Sequence, residues 1–185
     1  MNGYSHGSQP IRLERDCPAV MVPSGDLVQL PAGEVGYLTQ ALGGSFTVFI
    51  DGNLFRIRNQ DADAIGQEPL PLPELAEGAD AEQIEKAVWA QLRTCFDPEI
   101  PINIVDLGLV YGCEIKPAAD GRCTVEVAMT LTAPGCGMGE ILLADVREKL
   151  EALSAVAAAE VELVFDPPWN RTMMSEAAQL ETGML

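Results

Sequence analysis

Residues 129–140, MTLTAPGCGMGE, hold the change of period that most constrains this chain. Before them Cys123, Val125, Val127, Met129 and Leu131 alternate with Thr124, Glu126, Ala128, Thr130 and Thr132, the period-two pattern of a strand with one buried face. After them Ile141, Leu142, Val146, Leu150 and Leu153 recur at helical spacing, so a helix is expected to begin near Met138. Pro134 ends strand pairing, and Gly135, Gly137 and Gly139 leave the connecting backbone free. Cys136 thus stands just before a helix N-terminus. Unpaired N–H groups and the macrodipole there favour an anion, which suits a thiolate able to attack electrophiles or bind metal.

The elements around this switch form one unit over residues 80–185. Asp80 reads as a helix cap with Gln83 three residues on, and Ile84, Val88, Trp89 and Leu92 give the buried stripe of a helix running to about Thr94. A rigid acidic turn follows, Asp97-Pro98-Glu99-Ile100-Pro101, with Asn103 and Asp106 at the mouth of a strand. In that strand Leu107, Leu109, Tyr111, Cys113 and Ile115 share a face. The helix after Cys136 is expected to end near Ala155. A third strand carries Val161, Leu163 and Phe165 and stops at Asp166-Pro167-Pro168-Trp169, and a final helix covers about residues 172–182. The order α-β-β-α-β-α makes the unit α+β.

Ahead of it, residues 1–15 are polar and read as a mobile tail. Residues 16–65 read as a small β-rich module: strands at 19–22 and 27–30, then a hairpin in which residues 46–50 and 54–57 flank Asp51-Gly52-Asn53. Residues 66–79, with Pro69, Pro71 and Pro73, read as a semi-rigid linker holding the domain boundary.

Charge narrows the function. Lys plus Arg number 11 against 28 Asp plus Glu, a net charge of −17. Nucleic-acid binding, which depends on a cationic surface, is disfavoured. No apolar run is long enough for a membrane span, and the first residues lack the features of a secretory signal, so a cytoplasmic address is expected. The five cysteines, at 17, 95, 113, 123 and 136, form no CxxC pair, which argues against a closed zinc site or a self-contained four-cysteine cluster. Cys113 and Cys123 flank the turn KPAADGR. They are expected to be reduced core residues, the alternative being a disulfide across the hairpin.

Acidic residues gather where strands begin or end: Asp97, Glu99, Asp106 and Asp166. With Thr130 and Thr132 they form a candidate polar rim around Cys136. The alternatives are solvated loop charges and a cysteine that merely fills a tight turn. Sulfur and carboxylate together bind iron or zinc, but one sulfur per chain implies a weak site or one shared with another protomer or protein. A cysteine hydrolase normally pairs its nucleophile with histidine, and the single histidine, His6, lies in the polar tail.

Residues 97–111 (DPEIPINIVDLGLVY), 129–136 (MTLTAPGC), 161–169 (VELVFDPPW) and 174–184 (MSEAAQLETGM) together resemble the metal–sulfur cluster assembly family that includes PaaD-like proteins. RDCPAV at 15–20, TQALGGSFTV at 39–48 and the Pro-rich linker are similar to its SufT type. The resemblance implies a non-enzymatic accessory role in iron–sulfur cluster assembly by the SUF pathway, handling a transient cluster. Implied partners are scaffold or carrier proteins and apo client proteins, with a cluster-bridged homodimer as one arrangement. It also implies a shared polar site of Asp97, Glu99, Thr130, Thr132 and Cys136, with Cys136 as reactive or cluster-ligating thiolate. Two other readings stand beside this one: an interaction subunit of a multicomponent oxygenase, and a cysteine enzyme that works without histidine.

Overall fold

The computed structural model describes residues 8–97, 100–133, 135 and 137–183. The chain divides into two compact units, residues 1–71 and 72–185, the division falling inside the Pro-rich stretch. Among the described residues no helix is long and apolar enough to cross a membrane.

The first unit is a six-stranded antiparallel sheet: β1 (Gln9–Arg12), β2 (Cys17–Val22), β3 (Leu27–Leu30), β4 (Val35–Leu42), β5 (Ser45–Ile50) and β6 (Asn53–Ile57), in the order β1-β4-β5-β6-β2-β3. Phe46, Val48, Ile50, Phe55 and Ile57 alternate onto one face, where they pack with Ile11, Leu38 and Ala19. A 3-10 turn, Asn59–Ile65, adds Ala62, Ala64 and Ile65 to that core. Arg15 pins the turn: its Nε and Nη2 donate to the two carboxylate oxygens of Asp63 at 2.8 and 2.6 Å, and Nη2 also reaches Asp61 at 3.2 Å. This fork holds the Asp63 carboxyl below its usual range.

The expected tail over residues 1–15 is therefore corrected within its described part. Residues 9–12 form an edge strand, with Ile11 opposite Gly36, and Leu13 is buried. Pro10 had disguised the strand, since proline in a sheet is confined to edges. The linker, residues 66–79, is also partly tied down: Asn59 bonds the backbone N–H and C=O of Leu70, and Leu75 packs on the core of the second unit.

In the second unit α1 (Ala81–Leu92) starts at a capping box in which Asp80 accepts from the Gln83 N–H at 2.8 Å and Gln83 Oε1 accepts from the Asp80 N–H at 3.0 Å. The sheet has three strands, β7 (Val110–Pro117), β8 (Cys123–Met129) and β9 (Val156–Leu163), with β8 central. β7 and β8 form an antiparallel hairpin, and β8 runs parallel to β9 through the crossover helix α2 (Gly139–Glu151). Cys123, Val125, Val127 and Met129 are buried and alternate with half-buried residues, as their period implies. They join Val88 and Leu92 of α1 and Leu142, Val146 and Leu150 of α2 in one core. The two helices are clasped at their C-terminal ends: Gln91 Nε2 donates to the Lys149 carbonyl at 2.6 Å, and Lys149 Nζ donates to the Thr94 carbonyl at 2.6 Å.

Three local expectations change, and the reduced state expected of Cys113 and Cys123 holds. Leu107 and Leu109 are buried, but in a turn-rich segment before β7 rather than in the strand. Cys113 stands opposite Val127 and Cys123 opposite Pro117, so the two thiols are not cross-strand partners and both are free. β9 begins at Val156 and ends at Leu163, with Phe165 exposed beyond it; pairing with β8 overrides the helix propensity of the alanines at 157–159. The last helix is split into a 3-10 turn, Arg171–Met173, and α3 (Glu176–Glu181), because Ser175 adopts an extended backbone and caps the second piece.

Candidate functional site

The register of the second sheet brings three loops to one end. β7 enters where Val110 pairs Met129, and β9 leaves where Leu163 pairs the same Met129. The segments preceding β7 and following β8 and β9 therefore emerge together. Two further backbone bonds extend the pairing into the loops: the Thr130 N–H donates to the Leu109 carbonyl and the Val164 N–H to the Met129 carbonyl, each at 2.8 Å.

The first loop is built by its own polar side chains. Buried Asp97 accepts the Ile100 N–H on Oδ1 at 2.9 Å. Asn103 Oδ1 accepts the N–H groups of Val105 and Asp106 at 3.1 and 2.9 Å, and its Nδ2 donates to Asp106 Oδ2 at 2.6 Å. Asp97 and Asn103 thus shape the backbone of this loop, and Asp106 holds the Asn103 side chain in place. Ile104, Leu107 and Leu109 anchor the loop beneath.

In the second loop Thr130 is only 1% exposed and Thr132 is half-buried. Of the glycines that follow, Gly135 takes a left-handed φ of 78°, whereas Gly139 provides room: a Cβ there would stand 2.8 Å from Leu131 Cδ1. Glycine at the first residue of α2 therefore lets the helix start directly against the end of the strand. Cys136 and Glu99 lie outside the described residues. Asp166 stands exposed in the third loop.

Sequence reasoning missed the clamp on the first loop. The indole N–H of Trp169 donates to the Leu107 carbonyl at 2.7 Å, the Ser175 N–H to the Asp106 carbonyl at 2.7 Å, and the Tyr111 hydroxyl to the Pro167 carbonyl at 2.7 Å. Gly108, at φ 73°, passes so close that a Cβ would lie 2.2 Å from the Met173 carbonyl oxygen. A glycine inside an otherwise apolar strand pattern was the available signal, since it marks close backbone approach. The C-terminal segment thus serves as a strap holding the first loop in place.

The described thiols are poorly suited to react. Burial pushes Cys17 up to about 11, with Asp61 adding to the effect. Cys113 is pushed up to about 11, chiefly by burial and secondarily by Glu85, and burial also raises Cys123. Cys95 is fully buried and its sulfur lies 3.6 Å from the Gln91 carbonyl. Among the described residues no group of three His, Cys, Asp or Glu side chains is placed to hold a metal ion.

A family model described as "Iron-sulfur cluster assembly protein" matches residues 85–163, inside the second unit. The chain is 47% identical over 103 residues to the Fe-S protein maturation auxiliary factor of Porphyromonas gingivalis, covering 56% of this chain and 94% of that protein. It is 41% identical over 88 residues to the Fe-S protein maturation auxiliary factor SufT of Staphylococcus aureus, covering 48% of this chain and 96% of that protein. With YitW of Bacillus subtilis, another Fe-S protein maturation auxiliary factor, it shares 35% identity over 103 residues, 56% of this chain and 97% of that protein. At such identity over nearly the full length of these relatives, the chain belongs to the iron–sulfur cluster assembly protein family.

Proposed function

We propose that this protein is an accessory factor that helps assemble iron–sulfur clusters and deliver them to client proteins of the SUF pathway, using Cys136 as a cluster-sharing thiolate. The observation that carries the reading is the 47% identity spanning 94% of a maturation factor. The cluster is cargo, handled and passed on. The protein works in the cytoplasm with scaffold or carrier proteins and apo clients, and performs no catalysis of its own.

The chemistry of the second unit supports this. Cys136 is the cysteine two residues ahead of the α2 cap, Met138, where helix N–H groups favour a thiolate, whereas the other four sulfurs are buried or have thiol pKa values raised by burial. One sulfur per chain makes any cluster contact incomplete, so the remaining ligands come from a second protomer or a carrier. Incomplete ligation suits transfer, which needs release as much as capture. Asp97, Glu99, Asp106, Thr130 and Thr132 supply a polar surround, in which the clamped first loop fixes the positions of Asp97 and Asp106 relative to the sheet.

Cells lacking the protein test the reading through several unrelated iron–sulfur enzymes measured in parallel. Lowered activity of several, restored by adding the gene back, is expected. A defect confined to one enzyme would favour a dedicated subunit instead.

A further inference from the structure

Among the described residues of the first unit, the sheet buries one face, and the other carries exposed side chains. Its register lines up Pro10, Tyr37, Phe49, Leu54 and Val22 as directly opposed neighbours on five adjacent strands, β1, β4, β5, β6 and β2. Tyr37 is 51% exposed, Phe49 41% and Leu54 37%, and Val35, two residues before Tyr37 on the same face, is 64% exposed. Leu27 at 83% exposure extends the surface through its opposed neighbour Val20. Single exposed apolar residues are ordinary, but a continuous band across five strands marks an interaction site.

Charge on this sheet is of one sign. The six strands contain no Asp, Glu or Lys, and their only charged residues are Arg12 and Arg56, in a chain of net charge −17. Both arginines alternate onto the open face, Arg12 opposite Val35 and Arg56 opposite Thr47 and Val20, so they flank the apolar band on its two sides. The unit's carboxylates stand instead in turns and connecting segments, among them Asp26, Glu34 and Asp51.

From this arrangement we propose that the open face of the first unit docks a protein segment whose apolar side chains are interspersed with carboxylates. Apolar residues of the segment cover the Tyr37–Phe49–Leu54 band and its carboxylates meet Arg12 and Arg56. A second copy of this chain fits less well, because two such faces would oppose arginines with no strand carboxylate between them. An anionic membrane or nucleic acid presents an extended charged surface that meets the whole net charge of −17, whereas a short segment meets only the local field within a Debye length.

The full chain is titrated against three fluorescein-labelled peptides of equal length. One alternates Leu and Phe with Glu, a second has Lys for every Glu, and a third has Ser for every Leu and Phe. Saturable binding of the first is expected, with the other two weaker by about tenfold or more. Phe49→Ser and Arg12→Glu should each weaken the first peptide at an unchanged melting temperature, with Tyr37→Ser replacing Phe49→Ser if that variant melts early. Equal binding of all three peptides, no binding of the first, or binding indifferent to these variants overturns the proposal. So does a concentration-dependent dimer abolished by Phe49→Ser, or a preference for phosphatidylserine vesicles over the acidic peptide.

Discussion

The indole N–H of Trp169 meets the carbonyl of Leu107 at 2.7 Å, joining the segment after β9 to the loop before β7 across 62 residues of sequence. That bond fixes the loop in which Asp97 and Asp106 are set. Trp169→Phe keeps the ring but removes the donor, leaving the Leu107 carbonyl without this partner. The expected loss is about 1 kcal/mol of stability in the second unit, read by urea denaturation, with faster amide exchange at residues 103–108.

Gly108 makes the same point through space. Alanine there meets the Met173 carbonyl and is forced into a left-handed backbone, for an expected cost of about 1–3 kcal/mol. The checking measurement is limited proteolysis: the Gly108→Ala chain should be cut within residues 164–183 under conditions that leave the unmodified chain intact.

The helix cap gives a milder test. Asp80→Ala removes one half of the capping box of α1 and should cost about 1 kcal/mol in chemical denaturation, while Asp80→Asn or Asp80→Ser should retain most of the stability.

These three sites differ in how far the sequence reveals them. Asp80 and Gln83 are local, and their spacing alone announces the cap. The alternation from Cys123 to Met129 and the helical spacing after Gly139 are equally local, so the change of period at residues 129–140 places the starts of β8 and α2 to within a residue, whereas α2 ends at Glu151, before the expected Ala155. β1 and β4 escaped notice because Pro10, Gly36 and Gln40 dilute their patterns, and only pairing between strands distant in sequence makes them strands. The run at 156–160 carries the alanines of a helix and is a strand because it lies beside β8. At the candidate site, the loops bearing Asp97, Asp106, Thr130 and Thr132 could be read from their turn residues. The strap through Trp169, Met173 and Ser175 left only Gly108 as a local signal, since each of its contacts spans more than sixty residues.

Acid should loosen the first unit through Arg15 and Asp63. The folded-state pKa of Asp63 lies below its unfolded value, so the ion pair contributes fully above the ordinary carboxylate range and is lost as pH falls through the lowered value. Thermal melts of the unmodified chain from about pH 6 to about pH 3 should fall more steeply than those of Asp63→Asn. Parallel slopes would count against a native-state role for the pair.

Thiol reactivity separates Cys136 from the rest. With Cys17 and Cys113 pushed up to about 11 and Cys123 raised by burial, a limiting amount of iodoacetamide at neutral pH should modify Cys136 first, as read by peptide mass spectrometry. Earlier labelling of Cys17 or Cys95 would contradict an activated Cys136.

In the proposed role Cys136 shares a cluster with another protein or protomer. Anaerobic reconstitution of the full chain with iron and sulfide tests it most directly. Visible absorbance that a chelator removes readily is expected, and Cys136→Ala should reduce it sharply while the variant melts normally. Absorbance of equal size and stability in Cys136→Ala would contradict it.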